Sequence, residues 1–200
     1  ILVVGASGNG KSTLLKILMG YYKVNNNCVL VDNVDINNYS LDYLRNNICY
    51  VSQNETLFTD SIYNNITLHR DYDYGKFLNL AQLIYVDKIY KNNPLTFEML
   101  LEENGFNISG GERQRIILAR SLIKDVSVYL FDESFNEMDV ALERKIIENI
   151  FVLLNNKTVL LVSHRQNNSD LFDKVIYMEN GTINKIVVNK LMHRGDINNG

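Results

Sequence analysis

The sequence predicts an α/β fold with a parallel sheet at its core, and two observations lead to this prediction. Four short apolar, β-branched-rich runs have the composition of strands buried on both faces. They are ILVV (1–4), NICYVS (47–52), VSVYLF (126–131) and TVLLVS (158–163). Helical patterns lie between the runs, as crossover helices do between parallel strands. With 200 residues and 46% hydrophobic content, the chain is long enough to bury such a core.

Composition argues against several classes of protein. The formal net charge is −3 with 22% charged residues, so no basic field indicates nucleic acid or an anionic membrane as a partner. Cys28 and Cys49 match no metal-binding or redox spacing. No apolar run approaches the roughly 20 residues that span a bilayer, and no signal-peptide pattern is present. We therefore expect the isolated fragment to be soluble and to bind no nucleic acid.

A glycine or a polar residue follows each predicted strand. These residues are Gly5, Gln53, Asp132 with Glu133, and His164. In open α/β sheets, ligands bind outside the carboxyl ends of the strands. The four endings therefore predict a single site at this edge of the sheet.

The first ending is a phosphate-binding loop. GASGNGKST (5–13) fits G-x-x-x-x-G-K-[ST], follows a strand and opens an apolar-faced helix that stops at Gly20. Backbone N–H groups of such a loop surround phosphate oxygens, Lys11 reaches the β- and γ-phosphates, and Ser12 ligates Mg²⁺. The motif predicts a P-loop NTPase core. The nucleotide-binding residues are then Gly5, Ser7, Gly8, Asn9, Gly10, Lys11, Ser12 and Thr13.

The other strand endings predict the catalytic groups. Asp132 is placed to hold Mg²⁺, directly or through water, and Glu133 to polarise an attacking water. Gln53 is placed to join metal and water, and His164 to donate to the γ-phosphate. Taken alone, these last two have simpler interpretations, because a lone strand-end Gln is more often just polar and a lone strand-end His more often structural.

A second glycine motif, ISGGERQR (108–115), lacks a phosphate-binding lysine. Ser109 and Glu112 fit a capping box, in which each side chain satisfies a backbone N–H at the start of a helix. A capping box explains Ser109 and Glu112, but it does not explain why two glycines follow at positions 110 and 111.

These motifs resemble those of the ATP-binding cassette of ABC transporters. The residues that carry the resemblance, in chain order, are GASGNGKS, Gln53, ISGGERQR, YLFDE, Asp139 and SHR. The resemblance covers nearly the whole chain, from Ile1 to about Ile186. It implies that Ser109, Gly110 and Gly111 bind the γ-phosphate held by the phosphate loop of a second cassette. Two cassettes would then enclose two ATP molecules head to tail.

The resemblance also implies roles for the remaining residues. Asp132, Gln53 and Ser12 hold Mg²⁺, Glu133 is the general base, and His164 and Lys11 stabilise the γ-phosphate. Gln53 further couples the site to the transport domain. Asp139 matches the aspartate that crosses the interface between cassettes, although its segment, SFNEMD, departs from the small residues usual there.

The resemblance implies an organisation for the chain. It predicts a core over 1–53 and 125–190, a helical signature-bearing subdomain over 54–124, and a tail over 191–200. In the family an antiparallel β-subdomain and an adenine-stacking aromatic precede the phosphate loop, whereas this chain begins four residues before Gly5. We therefore expect a truncated β-subdomain and weak ATP binding in isolation. We also expect Asn27 and Asn33, which stand where glycine is usual, to preserve left-handed turns.

Two segments resemble the exporter subgroup: LRNNICYVSQNETLFTDSIYNNI (44–66) and EENGFNISGG (102–111). In exporters, apolar residues after the glutamine receive coupling helices of the membrane domain, and the residue matching Glu103 contacts them across the pair. For Leu57, Phe58 and Ile62 the alternative is ordinary core packing.

The resemblance thus implies the ATPase domain of an exporter, at the cytoplasmic face of the cell membrane. Its partners would be a second nucleotide-binding domain and the transmembrane domains.

The alternative is a non-transport ABC ATPase of DNA repair, chromosome organisation or translation. ABC ATPases of DNA repair and chromosome organisation normally carry a coiled-coil insertion before the signature, and no sustained heptads occur in this sequence. A translation factor would need a second phosphate loop. The resemblance does not distinguish between peptide or bacteriocin, lipid and drug cargoes, because the specificity for cargo lies in the membrane helices.

Overall fold

The computed structural model describes residues 1–52, 54–90, 93 and 96–189. Within this part of the chain the strands are β1 (Leu2–Val4), β2 (Leu30–Val31), β3 (Val34–Asp35), β4 (Ile48–Val51), β5 (Val128–Asp132), β6 (Thr158–Ser163), β7 (Lys174–Glu179) and β8 (Thr182–Val188). The helices are α1 (Lys11–Leu18), α2 (Leu41–Asn47), α3 (Ile62–Thr67), α4 (Tyr74–Leu83), α5 (Gly110–Leu122) and α6 (Val140–Leu153). All four predicted strands are present.

The main sheet, as far as the described residues define it, has six strands in the order β4-β5-β6-β1-β7-β8. Neighbours from β4 to β7 are parallel, whereas β8 runs antiparallel to β7. The predicted α/β fold with a mostly parallel core is therefore confirmed. The loops that follow β1, β4, β5 and β6 leave the sheet at the same edge.

Helices cover both faces of the sheet. On one face Phe131 belongs to a buried cluster that includes Ile116 of α5. On the other face its chain neighbour Leu130 lies in a cluster with Leu15 of α1 and Leu44 of α2. Burial on both faces explains why the central strands are continuous apolar runs rather than alternating patterns.

Side-chain caps define where most of the helices begin. The residue before each of α2 to α6 is a Ser or Asp whose side chain accepts the N–H of the third helical residue. These caps are Ser40, Ser61, Asp73, Ser109 and Asp139. Helix α1 begins differently: Gly10 precedes it in a left-handed conformation, without a side-chain cap.

The hairpin of β7 and β8 is absent from the sequence prediction. Its strands have few buried side chains, and six of the seven residues of β8 are exposed, so no continuous apolar run marks them. The local signal was nevertheless present. Asn180 (φ 49°) and Gly181 (φ 76°) form the turn, and Asn-Gly is a strong signature of a two-residue hairpin.

Two further expectations concern local conformation. Asn27 (φ 61°) and Asn33 (φ 65°) adopt left-handed backbone, as expected for Asn in place of glycine. Between residues 54 and 124, the described part of the chain forms α3, α4 and α5 with short 3-10 turns. The limits of the core and of the helical subdomain stay predictions, and the tail over 191–200 lies outside the described residues.

None of the helices in the described part of the chain combines the length and apolar character needed to cross a membrane.

Candidate functional site

The phosphate-binding loop connects β1 to α1 and depends on its glycines. Gly8 and Gly10 both have φ of 84°, a conformation that residues with a Cβ rarely adopt. Gly5 lies against β7, where a Cβ would stand 2.3 Å from the carbonyl oxygen of Met178. Asn9 donates to the same carbonyl at 3.0 Å. The loop is thus anchored to β7, while Gly8 has no atom within 4 Å of an added Cβ.

Lys11 is enclosed by the loop that precedes it. Its Nζ donates to the carbonyl oxygens of Gly5 (2.8 Å) and Ala6 (2.9 Å), and its side chain is 3% exposed. The ammonium also lies 3.9 Å from Oε1 of Glu133. A buried cation at the start of a helix favours an anionic ligand at this place.

Asp132, at the end of β5, is held by two hydroxyl groups. Ser12 Oγ donates to Oδ1 at 2.8 Å and Tyr50 Oη donates to Oδ2 at 2.8 Å. Burial raises the pKa of the Tyr50 phenol, and its hydrogen bond to Asp132 raises it further, so the hydroxyl remains the donor. Tyr50 was not foreseen as a site residue. Its place beside Leu130 depends on the pairing of β4 with β5, which no sequence motif shows.

The oxygen atoms of Ser12 and Asp132 fit Mg²⁺, which prefers oxygen ligands and takes few of them from the protein. Within the described residues, no group of three or more His, Cys, Asp or Glu could hold a metal by itself. A magnesium ion here would therefore share its coordination between these two side chains, water and the ligand's phosphates. Gln53, the third predicted metal ligand, lies outside the described residues.

Glu133 follows Asp132 in a left-handed conformation with φ of 53°. Non-glycine residues adopt this region infrequently, and such strain is concentrated at functional sites. Its backbone N–H donates to Val162 of β6 at 3.0 Å. Its Oε2 lies 3.9 Å from Nδ1 of His164 and accepts a hydrogen bond from Nδ2 of Asn136 at 2.9 Å. Glu133 therefore stands between the phosphate loop and the end of β6.

The signature segment starts α5 as the capping-box pattern predicts. Ser109 Oγ accepts the N–H of Glu112 at 3.3 Å, and the Glu112 carboxylate accepts the N–H of Ser109 at 2.9 Å. Helix α5 begins directly after this cap, at Gly110.

The two glycines have an explanation within this chain. A Cβ at Gly110 would lie 1.8 Å from Oε2 of Glu137, and a Cβ at Gly111 would lie 3.0 Å from the carbonyl oxygen of Glu137. The Glu137 carboxylate also pairs with Arg113 at 3.0 Å. The backbone N–H of Glu137 donates to Oε1 of Gln114 at 3.0 Å. The segment SFNEMD thus packs on the start of α5. Glu137 was not foreseen as a contact of this motif.

Asp139 is exposed and caps α6, where its Oδ1 accepts the N–H of Leu142 at 2.9 Å. Its predicted position at an interface between cassettes stays a prediction. Among the described residues, no hydrogen bond joins Ser109, Gly110 or Gly111 to the phosphate loop. The structure therefore brings the residues at the ends of β1, β5 and β6 together and leaves the signature at a separate position.

The apolar residues that follow position 53 divide into two groups. Leu57 and Ile62 are 3% and 0% exposed, so ordinary core packing, the alternative interpretation, is correct for both. Phe58 is 56% exposed, and the guanidinium of Arg120 lies 5.2 Å from its ring centre. The segment around Phe58 adjoins the one that precedes the signature, since Leu101 N–H donates to Asp60 at 2.9 Å.

Comparison with known proteins agrees with these motifs. The family model described as ABC transporter matches residues 1–136. The ATP-dependent lipid A-core flippase of Idiomarina loihiensis is 35% identical over 185 residues, which are 92% of this chain and 32% of that protein. The flippase of the same name from Blochmanniella pennsylvanica is 34% identical over 196 residues, 97% of this chain and 34% of that protein.

A solved structure is similar as well. A bacterial Atm1-family ABC exporter with ATP bound superposes with a TM-score of 0.84 at 27% identity, over 92% of this chain and 33% of that one. The chain belongs to the ABC transporter family, and the predicted exporter-type nucleotide-binding domain is confirmed. It spans about a third of the length of these relatives.

Proposed function

We propose that this chain binds MgATP and hydrolyses it as the ATPase domain of an ABC exporter, in a head-to-tail pair of cassettes. The observation that carries the proposal is the meeting of a buried lysine, a serine and two carboxylates at one edge of the sheet. They are Lys11, Ser12, Asp132 and Glu133.

The phosphate loop would bind the triphosphate. Lys11 already lies inside the loop, so a modest turn of its ammonium from the carbonyls of Gly5 and Ala6 would bring it to the β- and γ-phosphates. Ser12, Asp132 and Gln53 would hold Mg²⁺, which neutralises charge on the transferring phosphoryl group when it is bound.

Glu133 would act as general base. Its carboxylate lies 3.9 Å from both Lys11 and His164, so a water in line with the γ-phosphate would fall between groups that stabilise charge. His164, which is half-exposed, would donate to the γ-phosphate. Ser109, Gly110 and Gly111 of the second cassette would complete the site, with Asp139 at the interface.

The exposed apolar surface near the signature supports the transport role. It consists of Phe58, Leu100 and Phe106, which are 56%, 69% and 76% exposed. Singly exposed apolar residues are common, but a group on adjoining segments indicates an interaction site. We assign it to the transmembrane domains, with Glu103 beside it, at the cytoplasmic face of the membrane. This surface favours export over a non-transport ABC ATPase.

Substitution of the base tests the proposal. Glu133→Gln should lower the rate of ATP hydrolysis by roughly 100-fold or more, because a general base contributes about 10²–10⁴-fold, and should leave a stable ATP-bound dimer. Hydrolysis would be measured as phosphate release and dimerisation by light scattering. Glu148→Gln is the matched control, since Glu148 pairs with Arg144 on the surface of α6 (3.1 Å). Ordinary turnover by Glu133→Gln would remove Glu133 as the base.

A further inference from the structure

The Glu133 carboxylate has a hydrogen-bond donor that the sequence motifs do not assign. Lys11 Nζ and His164 Nδ1 each lie 3.9 Å from a carboxylate oxygen, beyond hydrogen-bonding distance. Asn136 Nδ2 donates to Oε2 at 2.9 Å. Among the described residues, this amide therefore sets the direction of the carboxylate.

Asn136 is itself held in place through its backbone. Its carbonyl oxygen accepts Nη2 of Arg165 at 2.8 Å, and the same guanidinium donates through Nη1 to Met138 O (3.1 Å) and Glu143 Oε2 (2.9 Å). Glu143 is 3% exposed, and its other oxygen accepts Nδ2 of Asn168 at 3.0 Å. An ion pair between the buried Glu143 of α6 and the partly exposed Arg165 after β6 thus holds the backbone of Asn136 in place.

The two oxygens of Glu133 consequently differ. Oε2 accepts the Asn136 amide, whereas Oε1 faces Lys11 and so the side on which phosphate would bind. A glutamate side chain has three rotatable bonds, and holding one oxygen restricts the carboxylate to one orientation. Oε1 accepts no hydrogen bond from the described residues and faces Lys11, so it is the oxygen better placed to accept the proton of an attacking water.

We propose that Asn136 is a positioning residue for ATP hydrolysis, which orients the Glu133 carboxylate so that Oε1 receives the proton of the attacking water. This inference rests on the proposed role of Glu133 as the base. It assigns no contact with nucleotide to Asn136, and it predicts an effect on the chemical step rather than on ATP binding.

The test compares Asn136→Asp and Asn136→Ala with the unsubstituted chain. Asp has the same shape but no donor and repels Glu133. We expect kcat to fall by about 10- to 100-fold for both variants, because misplacement of a reacting group by about 1 Å costs up to about 100-fold. KM for ATP and ATP-driven dimerisation should stay within about twofold. Asn136→Gln, which keeps an amide donor, should recover part of the rate.

A matched pair outside the site supplies the control. Asn184 Nδ2 donates to Glu179 Oε2 at 3.0 Å on the β7–β8 hairpin, so Asn184→Asp makes the same chemical change without reaching the site. Its kcat should be unchanged. An Asn136→Asp variant with unchanged kcat, or with a loss confined to KM, would overturn the positioning role.

A double-mutant cycle separates the positioning of Glu133 from a general structural effect. In the Glu133→Gln background, Asn136→Ala should cause no further loss in single-turnover hydrolysis. An equal loss in both backgrounds would place the action of Asn136 elsewhere. The two proposals fail in different ways: normal turnover by Glu133→Gln removes the base, whereas an inactive Glu133→Gln with a fully active Asn136→Ala removes only the positioning residue.

Discussion

Helices α1 and α5 both begin at glycine-containing motifs, and the two beginnings differ in what lies over them. At α1, Gly10 precedes the helix with no side-chain cap and no acidic residue in the first turn. At α5, Ser109 and Glu112 form a capping box, and the Glu137 carboxylate lies against Gly110. The first helix terminus therefore has no competing carboxylate cap, while the second is already satisfied by the chain itself.

This difference bears on how a pair of cassettes would close. An uncapped N-terminus beside a buried lysine favours phosphate in the isolated chain. A terminus covered by a carboxylate disfavours a second anion, because like charges at close range repel. For the γ-phosphate of a second cassette to reach Gly110 and Gly111, the Glu137 side chain must move aside. If the proposed function is correct, the α1 site would need only a turn of the Lys11 ammonium, whereas the α5 site would need the Glu137 side chain to move.

The largest effect on ATP binding by the single chain is expected at α1. Lys11→Ala should weaken ATP binding by ~100-fold, since charge-assisted hydrogen bonds contribute about 1.5–3 kcal/mol each. Titration calorimetry with MgATP measures the change. Lys16→Ala, on the same helix but outside the phosphate motif, is the control and should bind as the unsubstituted chain does. Equal affinities for both variants would show that α1 does not hold the triphosphate.

The next effect is expected at α5. Ser109→Tyr should leave ATP binding by the monomer intact but abolish ATP-driven dimerisation, because the bulky ring occupies the space needed by the phosphate of the second cassette. Light scattering in the Glu133→Gln background reports dimers. Ser40→Tyr removes the corresponding cap of α2 (3.1 Å to Tyr43 N) and controls for the loss of about 1 kcal/mol per cap. Dimers of Ser109→Tyr at ordinary ATP concentrations would contradict the signature assignment.

The smallest effect is expected from Glu137. Glu137→Gln keeps the shape and removes the charge, so the ATP concentration for half-maximal dimerisation should fall by about 3- to 10-fold, as expected for relief of a screened repulsion of roughly 1 kcal/mol. Glu137→Asp, which retains the charge, is the matched comparison. Adding salt should reduce the difference between them. If Glu137→Gln required more ATP, Glu137 would instead contribute to the interface.

Much of the candidate site could be predicted because its signals are local. The loop glycines, Lys11 and Ser12 lie within nine consecutive residues, GASGNGKST. The polar residues of the other strand ends directly follow apolar runs in the sequence. The β7–β8 hairpin escaped prediction because its exposed strands carry no apolar run, although its Asn-Gly turn is a local signal. Tyr50 and Asn136 escaped for another reason, since neither motif nor spacing shows which polar side chain will reach Asp132 or Glu133.

By itself, the sequence determined the features that depend on a few neighbouring residues. These are the left-handed glycines of the phosphate loop and the capping box of α5, which are set by backbone geometry and hydrogen bonds within one turn, and the apolar runs of the central strands, whose composition matches burial on both faces. Only the tertiary structure decided what lies against them. The contacts of Glu137 with Gly110 and of Arg165 with Asn136 join residues more than twenty positions apart, so they exist only once the order of the strands has brought these loops together.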